Sequence, residues 1–177
     1  MSKKLFASLY QYKAWANSEL FALLQAVEGS HPKGLPLAAR MFNRVFIPKG
    51  MHLAARILDH VFVVDQIFKA NLAGEKHSFK ALNSENTPRL SDLWASVRLI
   101  DEWYLQYVDS LSESRLGEPM EFAFADGSAG RMTREEMLAH IVTHGNYHRG
   151  QASAILKVMS VPAPRDIFTV FLHTKRD

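Results

Sequence analysis

Residues 133–159 read TREEMLAHIVTHGNYHRGQASAILKVM, and this stretch decides the fold class. It opens with a capping box, because the Thr133 hydroxyl can accept from the amide three residues on while the Glu136 carboxylate reaches back to the Thr133 amide. Apolar side chains then recur every three or four positions, the period of a helix with one buried face. The stretch predicts a long helix that ends near Met159, before Pro162.

Two histidines lie four residues apart on this helix. At about 100° per residue, His144 and His148 fall near the centre of the predicted core-facing stripe, and His140 falls at its edge. The other members of the stripe are Met137, Ile141, Gln151, Ile155 and Val158. Two imidazoles four apart on a helix reach a common point, which is why metalloenzymes use this spacing.

The rest of the chain also has mainly helical periodicity. Further long helices are predicted over residues 3–27, 51–72 and 91–111, with residues 37–50 ambiguous. Residues 120–124 partly alternate and precede the turn signal Asp126-Gly127, so they predict a small β-hairpin. Residues 167–172 are expected to pack as a lid or a short helix. We therefore predict an all-α fold, a four-helix bundle in one domain over residues 1–177, with a hairpin before the last long helix and a short C-terminal segment.

A third histidine is predicted to face the same interior. His60 lies within the apolar stripe of the second helix, whereas His52 falls on the opposite, solvated side. The stripes of the first two helices are predicted from Leu5, Leu9, Trp15, Leu20, Leu23 and Leu24, and from Leu53, Ile57, Val61, Val64 and Phe68. His60, His144 and His148 can then meet as a three-His site with room for water or substrate.

Nitrogen ligands leave Zn, Ni, Fe, Co and Cu open as the metal. The alternative is that each histidine is a core residue hydrogen-bonded to its own neighbour. Three inward imidazoles without a shared partner would be costly to bury, which favours the metal site.

Residues close to His144 and His148 in the sequence are candidates for orienting the histidines or binding substrate. Gln151 is expected to orient His148 or contact substrate, with a satisfied core amide as the alternative. Arg149 is predicted to point away from the histidine face, in an ion pair or a subunit contact, with a substrate anchor as the alternative. His140 and Tyr147 are further candidates. Gly145 indicates either a close approach of a neighbouring helix or ligand, or a tolerated defect.

Composition excludes several classes of protein. The 177 residues are 47% hydrophobic and 22% charged, which is typical of a folded domain. Cysteine is absent, so any thiol chemistry must use a thiol from outside. The net charge of +3 is scattered, which argues against nucleic-acid binding. With no signal peptide or membrane-length apolar run, we expect a cytoplasmic protein.

Two classes of metal-dependent enzyme are excluded by motif. Gly145 stands where H-E-x-x-H proteases carry their general base, and the paired Glu-x-x-His motifs of di-iron bundles are absent. A hydrolase is therefore the less expected activity.

Residues 144–151, HGNYHRGQ, resemble the H-x-x-x-H-R-G-Q signature of the DinB superfamily. Three other segments are similar to family motifs in the same order: Tyr12-Lys13-Ala14-Trp15-Ala16-Asn17, Leu58-Asp59-His60 followed by Asp65, and Asp126-Gly127. The chain departs from the pattern at Asp59, where the family has Asn, and at Ser160, where it usually has Gly.

The resemblance implies a four-helix bundle in which His60, His144 and His148 hold a divalent metal, Zn or Ni, and in which homodimers are frequent. Relatives include mycothiol-dependent maleylpyruvate isomerase and bacillithiol transferases, whose metal activates a low-molecular-weight thiol. We therefore expect a metal-dependent thiol transferase or isomerase that acts on a small molecule with an exogenous thiol or water. The alternative is a metal-binding stress-response protein without turnover.

Overall fold

The computed structural model describes residues 2–29 and 37–174, with residues 37–46 described by their backbone alone. Its elements, in chain order, are α1 (Lys3–Gly29), α2 (Leu37–Ala73), α3 (Leu90–Ser110), α4 (Glu113–Leu116), β1 (Pro119–Ala123), β2 (Ala129–Thr133), α5 (Arg134–Val158) and α6 (Phe168–Thr174). The predicted all-α bundle is confirmed, with α1, α2, α3 and α5 as its long helices. Within the described ranges, no helix has both the length and the apolarity needed to cross a membrane.

The predicted start of α5 and the predicted hairpin are both confirmed. The Thr133 hydroxyl accepts from the Glu136 amide at 3.2 Å, and the Glu136 carboxylate accepts from the Thr133 amide at 2.6 Å. Strands β1 and β2 pair antiparallel, and Gly127 takes a φ of 84° in the turn between them. The hairpin therefore leads directly into the helix that carries two of the candidate ligands.

Helix α2 begins fourteen positions earlier than its predicted start at residue 51, and it runs through Pro48 and Gly50. The prediction treated these two residues as breaks, and that was wrong. Proline in a helix loses one backbone hydrogen bond but keeps a φ that suits the helix. A Cβ on Gly50 would collide with the side chain of Met159, the residue that follows α5, and would lie 3.4 Å from Ile155 within α5, so Gly50 marks a close approach of the two helices.

The buried face of α5 is rotated from the predicted stripe. Gly145 and Arg149 are buried at the centre of the face, while His144 and His148 lie half-buried at its border. Val158, predicted to be core, is 83% exposed. Leu53 and Leu5, also predicted to be core, are 52% and 38% exposed. On α5 the prediction was wrong because hydrophobic periodicity counts neither a glycine nor an arginine as a core residue.

A buried ionic network joins the four long helices. The Lys13 ammonium of α1 is fully buried, 2.8 Å from an Asp65 carboxylate oxygen of α2 and 2.5 Å from an Asp101 carboxylate oxygen of α3. Asn17 donates to the other Asp101 oxygen at 2.7 Å. Burial raises the pKa of Asp65 to about 6, although the Lys13 charge opposes the shift.

Arg149 extends this network to the C-terminal segment. Its guanidinium donates to Asn17 at 3.3 Å and to the Asp166 carboxylate at 2.8 Å. Tyr12 also donates to Asp166, and its ring packs against Phe168 and Phe171. The C-terminal segment, predicted as a lid or a short helix, is therefore a helix fastened to α1 and α5.

Replacing Lys13 by Met should destabilise the fold strongly. The variant leaves Asp65 and Asp101 buried without their cation, and removing one partner of a buried ion pair costs about 3–5 kcal/mol. Urea denaturation of the variant should show a loss of free energy of unfolding of that order. As a control, Arg89→Ala breaks the exposed pair between Arg89 and Asp92 and should give no measurable loss. Equal stability of Lys13→Met and wild type would contradict this account.

Replacing Ser160 by Gly should stabilise the protein. Ser160 has a φ of 59° and ends α5, with its amide bonded to the Lys157 carbonyl and the Val161 amide bonded to the Leu156 carbonyl. A left-handed conformation costs a non-glycine residue about 1–2 kcal/mol, partly offset by the greater unfolded-state freedom of glycine. We expect thermal unfolding to show a gain of about 0.5–1 kcal/mol. Ser160→Ala keeps the strained backbone and should show no gain.

Candidate metal centre

Three histidines from two helices meet at the junction of α2 and α5. The ring centroid of His60 lies 5.0 Å from that of His144 and 4.7 Å from that of His148, and the latter two are 4.4 Å apart. One ring nitrogen from each histidine lies within 4.8 Å of the others. All three side chains are half-buried, so the cluster lies at the rim of the bundle, not in the interior that the sequence predicted.

Hydrogen bonds determine the tautomers of two of these rings. The His60 Nδ1 lies 2.8 Å from the Leu82 carbonyl, and since a carbonyl only accepts, Nδ1–H is the donor. The His148 Nδ1 lies 2.8 Å from the side-chain oxygen of Gln151 and donates in the same way. In each neutral ring the Nε2 lone pair is therefore left free to bind a metal.

The third ring completes a donor set that fits a cation. The His144 Nε2 lies 3.1 Å from the His60 Nε2, and the buried His144 Nδ1 has no hydrogen-bond partner among the described residues. If the His144 proton is on Nε2, the buried Nδ1 lone pair is unsatisfied; if it is on Nδ1, two lone pairs face each other. Both arrangements are unfavourable without a cation. A metal between the rings would relieve the facing lone pairs.

The nitrogen spacing is also near that of a metal shell. Two nitrogens on one tetrahedral zinc lie about 3.3 Å apart, given zinc–nitrogen bonds of about 2.05 Å. The 3.1 Å between His60 and His144 matches this spacing. No pair in the cluster needs to close by more than about 1.5 Å, a movement within the reach of ring rotation.

Burial keeps the rings in the state that metal binding requires. It lowers the pKa of His144 to about 3, with the charges of His148, His60 and His140 acting in the same direction. It also lowers the pKa of His148, and the hydrogen bond to Gln151 partly opposes that shift. His144 and His148 are therefore neutral at pH 7, as a ligating imidazole must be.

The DinB family model matches residues 1–175 of the sequence. This chain belongs to the DinB family. It is similar to Protein DinB of Bacillus subtilis (strain 168), with 25% identity over 179 residues that cover 96% of this chain and 95% of the relative. No solved structure matches it.

The other predicted candidates occupy different positions around the cluster of this DinB-family chain. Gln151 accepts the hydrogen bond from His148 Nδ1 and so is placed to orient that ring. His140 is outside the ligand cluster: its ring stacks on His144 at 5.4 Å and lies 4.8 Å from the Phe68 ring. Tyr147 is 65% exposed, with its ring 5.0 Å from that of His148. His140 and Tyr147 therefore lie against the rings of His144 and His148, next to the cluster.

Arg149 forms one of the two contacts that the sequence predicted for it, an ion pair. It does point away from the histidines and does form an ion pair, but it is only 1% exposed, in the centre of the buried face. Gly145 makes room for it: a Cβ there would lie 3.2 Å from the Arg149 guanidinium and 3.7 Å from the Lys13 side chain. The close-approach interpretation of Gly145 is the one the structure favours.

Sequence reasoning missed the partner of His60 and the role of Lys13. The Leu82 carbonyl belongs to the main chain, so the type of residue at position 82 does not predict this hydrogen bond. The burial of Lys13 could have been suspected only from its neighbours, which are mostly apolar or aromatic and belong to a segment that resembles a family motif. The sequence at position 13 is equally compatible with a lysine exposed to solvent.

Replacing Gln151 by Leu should weaken zinc binding. The variant removes the acceptor that holds the His148 ring, and losing such an outer partner typically costs about 10–100-fold in metal affinity. Competition with a zinc-binding indicator dye measures the change. Gln151→Glu retains an acceptor oxygen for His148 and should therefore bind zinc at least as tightly as wild type. If Gln151→Leu keeps wild-type affinity, the hydrogen bond has no orienting role.

Proposed function

We propose that His60, His144 and His148 bind a divalent metal, Zn or Ni, and that this centre serves a thiol transferase or isomerase reaction on a small molecule. The observation that carries the proposal is the pair of facing Nε2 atoms of His60 and His144, 3.1 Å apart, with the His60 lone pair directed between the rings. A cation between the two atoms satisfies both lone pairs, whereas a hydrogen bond from His144 Nε2–H to His60 leaves the buried His144 Nδ1 without a partner among the described residues.

The composition of the cluster supports a catalytic centre over a closed structural site. Only three described residues contribute ligand atoms, and His140, the obvious fourth candidate, is not among them. Three protein ligands with an open position are typical of catalytic zinc, whereas structural zinc has four. The half-buried position of the histidines lets a small molecule approach from solvent.

A bound ion of this kind lowers the pKa of a thiol or water beside it, which supplies a nucleophile at neutral pH. The protein's own residues orient the His60 and His148 imidazoles through the Leu82 carbonyl and the Gln151 side chain. The exposed Tyr147 and half-buried His140 offer polar groups to a substrate at the open side. Since the chain has no cysteine, the thiol must come from outside. A homodimer and a cytoplasmic location remain predictions.

Metal content tests the site. We expect wild type, stripped with a chelator and reloaded with Zn²⁺ or Ni²⁺, to retain about one ion per chain by elemental analysis, and His148→Ala to retain almost none. His52→Ala is the matched control, because His52 is exposed on α2 outside the cluster and its loss should change nothing. Equal metal in wild type and His148→Ala would contradict the site.

Turnover needs its own assay, because a bound metal can be inert. The metal-loaded protein is mixed with an electrophile and each of several low-molecular-weight thiols, and loss of thiol is followed with and without metal. Conjugation that needs both the metal and His148 supports the transferase. Full metal binding without turnover would favour the alternative, a metal-binding stress-response protein.

A further inference from the structure

Asp59, the residue before His60, is completely buried, yet it forms no ion pair among the described residues. Its carboxylate instead accepts three hydrogen bonds from a loop. The Asn83 side chain donates at 3.1 Å, the Ser84 amide at 2.9 Å and the Ser84 hydroxyl at 2.7 Å. Burying a carboxylate is costly unless donors satisfy it, so these bonds hold the loop against α2.

The same loop carries the carbonyl that binds His60. Leu82, Asn83 and Ser84 form what we term the clasp. Arg56 of α2 secures it further, because Asn83 donates to the Arg56 carbonyl at 2.8 Å and the Arg56 guanidinium donates to the Ser84 carbonyl at 3.1 Å. The Leu82 carbonyl accepts from His60 Nδ1–H at 2.8 Å. The clasp therefore joins Asp59 and His60 through the loop.

We propose that Asp59 is a positioning residue for His60. By holding Asn83 and Ser84, its carboxylate places the Leu82 carbonyl where it selects the Nδ1–H tautomer of His60 and directs Nε2 towards His144. The side chain of Leu82 is 48% exposed, so packing contributes little to holding this carbonyl in place. The inference rests on the proposed metal site for its consequence, although the hydrogen bonds themselves exist without a metal.

The role depends on hydrogen bonding, not on negative charge. An asparagine at position 59 can keep all three contacts: its carbonyl oxygen accepts from Asn83 and from the Ser84 amide, and its amide donates to the Ser84 hydroxyl, which can accept. An alanine keeps none. Asp59→Asn and Asp59→Ala therefore separate positioning from direct attraction of a cation by the carboxylate.

The first experiment measures the tautomer of His60 in the metal-free protein. Long-range ¹H–¹⁵N spectra of the imidazoles, with His60 assigned by its loss in His60→Gln, should show the Nδ1–H tautomer in wild type and in Asp59→Asn. Asp59→Ala should show a mixture of both tautomers. A His60 that stays wholly Nδ1–H in Asp59→Ala would overturn the proposal.

The second experiment measures affinity for Zn²⁺ alone, by competition with an indicator dye. Asp59→Ala should bind about 10–100-fold more weakly than wild type, and Asp59→Asn should remain within about 3-fold. The pair Asn83→Ala and Ser84→Ala removes two of the three donors and should together reproduce most of the loss, and adding Asp59→Ala should cause a further loss smaller than Asp59→Ala causes alone, since only the Ser84 amide contact is left to remove. Asp59→Asn binding as weakly as Asp59→Ala would overturn positioning in favour of charge.

The two experiments test the metal function and the role of Asp59 separately. If wild type binds no zinc, the proposed metal function fails, while the tautomer of His60 still decides the role of Asp59. If Asp59→Ala does not fold, the Asn83→Ala and Ser84→Ala double variant, which leaves the helix residue in place, decides it by the same two measurements.

Discussion

The Lys13 ammonium is buried where the four long helices meet, and the arrangement of the bundle depends on its being neutralised there. It has favourable partners only when α2 brings Asp65 and α3 brings Asp101 to it at once. Gly145 leaves room for the lysine beneath α5. Because an unpaired charge in this place would cost far more than a misplaced apolar group, the network restricts how each helix can be rotated about its axis.

The rotation of α5 about its axis determines where His144 and His148 lie. With Gly145 and Arg149 turned into the interior, His144 and His148 come to the border of the buried face, opposite His60 on α2. A site at this depth is buried enough to lower the pKa of His144 and His148 and exposed enough for exchange with solvent. The ionic network and the candidate centre thus occupy adjacent faces of α5, and Asp166, two residues before α6, pairs with Arg149 of the network.

Much of this organisation was predictable from local patterns. The capping box of Thr133 and Glu136, the turn at Gly127 and the helical period of the long segments depend on residues close together in sequence, so short-range physics suffices. The proximity of His60 to His144 and His148 followed from the same period on two helices. The start of α2 was not predictable, because Pro48 and Gly50 resemble breaks until the packing of Gly50 against Met159 is known.

The amino-acid sequence by itself determined the helices, the hairpin and the three imidazoles spaced to meet, since these depend on backbone propensity and periodicity. Only the tertiary structure decided which face of α5 is buried, which carbonyl orients His60 and which carboxylates neutralise Lys13. Those features join residues tens of positions apart. The Leu82 carbonyl is a main-chain group, which every residue type has. Long-range electrostatics and main-chain hydrogen bonds leave no periodic trace in a sequence, so they become visible only once the chain is folded.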